Sequence, residues 1–221
     1  MTGKMFSMHE MMEVVIHILD ARDPYTFEHS WRVSALSERI AESLEISQEW
    51  KETVHLAAHL HDMGKIGVPD YILNKPDRLT AVEFELIKAH SDIGFQIVSK
   101  IPSLERIALY VRHHHERWDG MGYPSGLKGQ NIPFGARIIA VADTYDALTS
   151  SRPYREGISH EEAVGIISLE SEKQLCPEAV EAFLSLERDI LPTIGLVNRE
   201  IREKSTVRPN GKVSYRGIDK T

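Results

Sequence analysis

The stretch Leu60-His61-Asp62-Met63-Gly64-Lys65 closes an apolar helical run with an imidazole, a carboxylate and, three positions beyond, an ammonium. Adjacent nitrogen and oxygen donors suit a metal ion, and a carboxylate has two oxygens with which to bridge two cations. Lys65 adds a point charge matched to a phosphate oxygen. Alone, a His-Asp pair is a weak sign of metal chemistry. It gains weight because His29, His90, His114, His115 and Asp143 arrive on other segments where core residues are due.

Helical periodicity predicts the elements that carry them. Met12, Val15, Ile16 and Leu19 mark a first helix over 8–22, ended by Asp23-Pro24. Thr26 is read as the N-cap of a second helix over 27–45, with Val33, Leu36, Ile40 and Leu44 inward. Four residues back along that face lies His29. Ser47 caps a third helix over 48–64, and its stripe of Trp50, Val54 and Ala57 next reaches His61. Leu79-Thr80 opens a fourth helix, with Phe84, Ile87, Ile93 and Ile97 expected inward and His90 among them. Pro102 starts a fifth, where Ile107 and Val111 lead to His114.

Residues 117–132 form the one long loop, too rich in glycine for helix or strand and suited to close approach of backbone to a ligand. Phe134 to Thr149 is apolar nearly all round, so this sixth helix should be central. Asp143 in its middle needs a cation, because an unpartnered buried carboxylate is costly. Two further helices are expected over 159–171 and 177–203, then a polar tail over 204–221 in which Pro209-Asn210-Gly211 could turn a hairpin. The fold expected is all-α, a single helical bundle over 1–203.

The bulk numbers fit one core in 221 residues, with 42% hydrophobic and 27% charged residues. A net charge of −7 argues against DNA as a partner, since nonspecific duplex binding depends on basic surface. No apolar run is long enough for membrane insertion, and the N-terminus lacks a signal-peptide core. Cys176 is the only cysteine, which excludes an internal disulfide and a thiolate-rich zinc site and suits a reducing cytoplasm.

Any one of the seven candidates has a duller reading: a lone inward histidine is usually a hydrogen-bonded core residue, and a lone inward aspartate is usually paired with arginine. Five histidines and two aspartates on five inward faces are harder to excuse, whereas a shared metal centre satisfies all of them. Mixed imidazole and carboxylate donors without thiolate suit iron, manganese, cobalt, nickel or zinc, and seven ligands exceed what one tetrahedral ion can use. His55 and His59 read as packing or surface residues. His113 falls off the stripe of His114, and His9, His17 and His160 read as structural.

These blocks resemble the HD-GYP domain family: His29-Ser30-Trp31-Arg32-Val33, His61-Asp62-Met63-Gly64-Lys65-Ile66, His90, His114 through Pro124, Val141-Ala142-Asp143, and Arg152-Pro153-Tyr154-Arg155. The likeness covers roughly 8–200 and includes the Gly-Tyr-Pro loop that ordinary HD phosphohydrolases lack. It implies an HD-type bundle that hydrolyses cyclic di-GMP to linear pGpG or GMP. By motif position, one metal would be held by His29, His61, Asp62 and Asp143, and the other by His90, His114 and His115, with Asp62 bridging. Lys65 would touch the scissile phosphate, while Tyr123, Arg152 and Arg155 occupy places that resemble substrate-contacting positions. Members with a third metal carry a glutamate four residues before the first histidine. Tyr25 stands there, so two metals are expected, iron or manganese favoured.

The physical case for two ions is that a phosphodiester repels hydroxide. Paired cations would generate a bridging hydroxide locally and neutralise charge as it builds. Lys65 would add to that at the phosphorane. Arg152 and Arg155 could clamp phosphate or a guanine edge, and Tyr123, Tyr154 or Trp118 could stack on a base. The alternatives are an HD hydrolase for another nucleotide or cyclic dinucleotide, and a non-catalytic cyclic di-GMP receptor. No sensory segment is readable ahead of the helices, so control is expected from a missing N-terminal region or a separate partner; a signalling-protein partner or a homodimer is expected among the contacts.

Overall fold

The computed structural model describes residues 14, 18, 26–151 and 156–206. Helix α1 runs Thr26–Ser43, α2 Gln48–Leu60, α3 Asp70–Leu73, α4 Ala81–Val98, α5 Glu105–His113, α6 Phe134–Thr149, α7 His160–Leu169, α8 Pro177–Ser185 and α9 Glu187–Thr206. Tight 3-10 turns cover Met63–Gly67, Pro102–Leu104 and Gly129–Asn131. Among the described residues no strand forms; one isolated bridge joins Ser171 and Leu175. The chain is all-α, as expected. The predicted first helix over 8–22 falls outside the described residues apart from 14 and 18, which are helical.

The central place predicted for α6 is observed: Ala136, Ile138, Ile139, Val141, Ala142 and Tyr145 are all buried. This helix packs against α1, α2, α5, α7 and α8. A residue anywhere on it therefore sits close to several neighbours, which is what Asp143 requires. A second, smaller apolar cluster joins Val197 and Ile201 of α9 to Trp31 of α1.

Several boundaries differ from expectation, with identifiable causes. The helix predicted over 48–64 ends at Leu60, and His61 and Asp62 turn out of it. Gly64 explains why the turn can tighten there: a Cβ on it would lie 1.8 Å from the His90 carbonyl oxygen and 2.5 Å from the Gly94 nitrogen. The chain after α2 thus lies directly on the backbone of α4. Ser47 does occupy the N-cap of α2 with extended backbone, but its side chain makes no capping bond.

On α4 the predicted inward face is wrong in part. Phe84 is 46% exposed and Ile97 40%, while the buried face runs His90, Ser91, Gly94 and Val98. The small residues at 91 and 94 let the turn at Gly64 approach, and large side chains there would not. Thr80 starts this helix with a reciprocal capping box to Glu83, which also takes the Lys75 ammonium. The helix predicted over 177–203 breaks at Leu186, and its second part continues to Thr206. Of the tail, residues 207–221 lie outside the described set.

Candidate metal centre

All seven predicted ligands meet in one place, brought by five segments: His29 from the first turn of α1, His61 and Asp62 from the turn after α2, His90 from the middle of α4, His114 and His115 from the end of α5, and Asp143 from α6. Their donor atoms form three close groups: two sets of three, and His61, Asp62 and His114, which link them. His29, His61 and Asp143 offer atoms within 4.8 Å of one another, and so do His90, His114 and His115. Asp62 lies between the sets. Its Oδ2 is 3.6 Å from His29 Nε2 and 3.4 Å from His61 Nε2, while its Oδ1 is 3.6 Å from His90 Nε2.

Local helix geometry aims the imidazoles. His61, His90 and His114 each donate from Nδ1 to the backbone carbonyl three residues earlier, Ala58, Ile87 and Val111, at 2.6, 2.7 and 2.7 Å. A nitrogen facing a carbonyl oxygen must carry the proton, so in the neutral ring Nε2 is a bare lone pair. Those of His90 and His114 lie 3.4 Å apart, and that of His61 lies 3.2 Å from His29 Nε2. Buried lone pairs in such proximity call for a cation, and the donor set fits divalent transition metals.

The electrostatics differ across the centre. Burial opposes charge on His29, but hydrogen bonds to Asp143 and Asp146 outweigh it and raise its pKa to about 9. On the other side burial, reinforced by His90, holds His115 down at about 3, and burial also lowers His90 and His114. Burial works against ionisation of Asp62 too, yet Lys65 and His61 keep its carboxyl well below the ordinary range. Lys65 Nζ sits 2.7 Å from Asp62 Oδ2.

The substrate-side predictions fare unevenly. The Tyr123 ring lies 4.8 Å from His115, centroid to centroid, and Phe84 stands edge-on to it at 6.3 Å. Arg152, Tyr154 and Arg155 lie outside the described residues, as does Tyr25. The Trp118 backbone N–H donates to the Gln174 carbonyl, and Arg137 lies over the indole ring. A cavity of about 630 Å³ opens beside the centre, lined by His114, His115 and Asp143 on one wall and by Arg117, Thr144 and Gln174 elsewhere.

Of the duller histidines, His9 and His17 lie outside the described residues, and His55, His59 and His160 behave as read. His55 pairs with Glu38 and Ser34, and His59 packs edge-on to Trp31. His160 meets the Tyr145 hydroxyl. Three residues were missed. Asp146 accepts the His29 Nδ1–H at 2.7 Å, Arg32 grips Asp146, and buried Glu116 accepts from the backbone N–H groups of Ser125 and Leu127 at 2.8 and 3.0 Å. Asp146 could have been found, since it is a second acid three residues beyond Asp143 on a helix buried nearly all round. Glu116 sits on no stripe, and its place in the block from His114 through Pro124 gave it no role.

An HD domain family model matches residues 13–178. Over 205 residues the chain is 44% identical to a cyclic di-GMP phosphodiesterase of Thermotoga maritima, covering 92% of this chain and 55% of the relative. It is 39% identical over 177 residues to the cyclic di-GMP phosphodiesterase response regulator RpfG of Xanthomonas campestris pv. campestris, covering 79% and 47%. The chain thus spans about half the length of these curated relatives. Among solved structures, a cyclic GMP-AMP specific phosphodiesterase of V. cholerae superposes with a TM-score of 0.64 at 18% identity, covering 86% of this chain and 53% of the neighbour.

Proposed function

The chain belongs to the HD domain family, in its HD-GYP group, and on that premise we propose that it is a metal-dependent phosphodiesterase that opens cyclic di-GMP. The supporting observation is the placement of Asp62, with one carboxylate oxygen toward each of two histidine sets. His29, His61 and Asp143 would hold one cation, His90, His114 and His115 the other, and Asp62 both. Iron or manganese suits this donor set best. Divalent ions there would supply a nucleophile from water at neutral pH and neutralise the phosphoryl oxygens.

In the reaction proposed, an oxygen from water bonds to phosphorus, the bond to the 3′ oxygen breaks, and that oxygen leaves with a proton. Lys65 stabilises charge on the phosphoryl group as it passes from diester to phosphorane. Burial, with Asp143 close by, raises the Tyr123 pKa and keeps its hydroxyl protonated, so it can donate to a phosphate or base while the ring offers a stacking face. Arg152 and Arg155 are proposed to clamp the second phosphate or a guanine edge. The cavity beside His114 falls within the usual size range of small-molecule sites.

The test is elemental analysis of protein purified without air, followed by chromatography of the products from cyclic di-GMP. Two equivalents of metal and release of pGpG or GMP are expected. Because the structural neighbour is named for cyclic GMP-AMP, the mixed dinucleotide belongs in the same panel. Faster turnover of the mixed compound would reassign the substrate, and tight binding of cyclic di-GMP without turnover by the metal-loaded protein would make it a receptor.

A further inference from the structure

Among His29, His61, His90 and His114, the last three donate from Nδ1 to a neutral backbone carbonyl. His29 alone donates to a carboxylate, Asp146 Oδ2 at 2.7 Å. Asp146 is 2% exposed and cannot be oriented by solvent. Arg32 orients it instead, with Nε on Oδ1 and Nη2 3.2 Å from Oδ2. Ser150 Oγ closes the network, 3.1 Å from Asp146 Oδ2 and 3.0 Å from Arg32 Nη2.

We propose that Asp146, locked by Arg32, is a positioning residue that makes the two ion sites unequal: the set of His29, His61, Asp143 and Asp62 Oδ2 fills first and holds its ion more tightly than the set of His90, His114, His115 and Asp62 Oδ1. The inference rests on the two-ion reading above. Its physical basis is twofold. An imidazole whose Nδ1–H bonds to a carboxylate is a stronger donor at Nε2 than one bonded to a carbonyl, and its ring is held ready for the ion. The first set also has a carboxylate of its own, Asp143, 3.3 Å from His29 Nε2, whereas the second has only imidazoles besides the shared Asp62. Arg32 offsets the charge of Asp146, so Asp146 acts through the basicity and orientation of His29. Asp143 supplies the extra attraction.

Calorimetric titration of the metal-free full chain with Mn²⁺, without air, tests this. The native protein should show two binding events, and His115→Ala should remove the weaker. Asp146→Asn should weaken the tighter event by roughly 10–100-fold, the range usual for loss of a ligand's supporting contact, and leave the weaker event unchanged; the metal-free protein should melt lower in this variant, because its buried pair with Arg32 is broken. Arg32→Lys, which keeps the charge but loses the fork, should shift the same event in the same direction by less; if Asp146→Asn does not fold, this variant decides. Unchanged affinities in both variants, or equal weakening of both events, would overturn the proposal. A single ion bound by the native protein would instead remove the two-ion reading, and this inference with it.

Discussion

The helix-borne ligands and the loop over residues 117–132 reach the same place by different physics. His61, His90 and His114 are held by a bond each residue makes to its own helix, three positions back, so their direction follows from where they sit on an apolar stripe. The loop has no repeating backbone pattern to hold it. Buried Glu116 gathers it by accepting from Ser125 and Leu127, the Asp119 N–H donates to the Lys173 carbonyl, and Arg117 pairs with Asp119. Gly122 lets it fold flat onto its own start, where a Cβ would lie 2.3 Å from the Arg117 nitrogen. That closure carries Tyr123 over His115. The difference teaches that the candidate ligand set is a property of helix packing, whereas the loop beside it rests on several scattered contacts, of which Glu116 is the buried one.

The sharpest separation between the two comes from breaking each in turn. Asp62→Ala is expected to reduce turnover to background and strip metal from both sets, because the carboxylate between them is gone. Retention of two equivalents by elemental analysis would refute its bridging role. Gly64→Ala should cost ~3 kcal/mol in urea unfolding, at the upper end for overpacking, since its Cβ would press on the backbone of α4 and not on a side chain that can swing away. Metal affinity should fall with it.

Glu116→Ala attacks the loop instead. Leaving two partly buried N–H groups without acceptors should cost about 1–3 kcal/mol and raise KM for cyclic di-GMP several-fold, with metal content unchanged. If that variant loses its metal, the division between helix-held and loop-held parts is wrong. Thr80→Ala is the mildest: it removes a capping box at the far end of α4 from His90, so stability should drop by ~1 kcal/mol while turnover and metal content hold.

What was legible in the sequence follows the same division. His29, His61, His90 and His114 could be placed because each continues, or interrupts, a run of apolar residues at helical spacing, and Asp143 because its helix is apolar on every side. Phe84 was misassigned because periodicity reports which residues are apolar, not which side the neighbour occupies. The α4 face against Gly64 is built of small residues that carry little hydrophobic signal. Asp146 was within reach as a second acid on the same buried helix, but its partner Arg32 stands 114 positions away on α1, and nothing local links the two. The break at Leu186 likewise lies inside a continuous amphipathic pattern.

The contact at Gly64 sets a fixed gauge for the centre. Because main chain rests on main chain there, the approach of the end of α2 to the His90 helix is set by van der Waals contact of backbone atoms, and no side-chain rotamer at that point can narrow it. An ion of different radius would have to be met by the rotamers of Asp62 and the imidazoles, because the backbone behind them does not give.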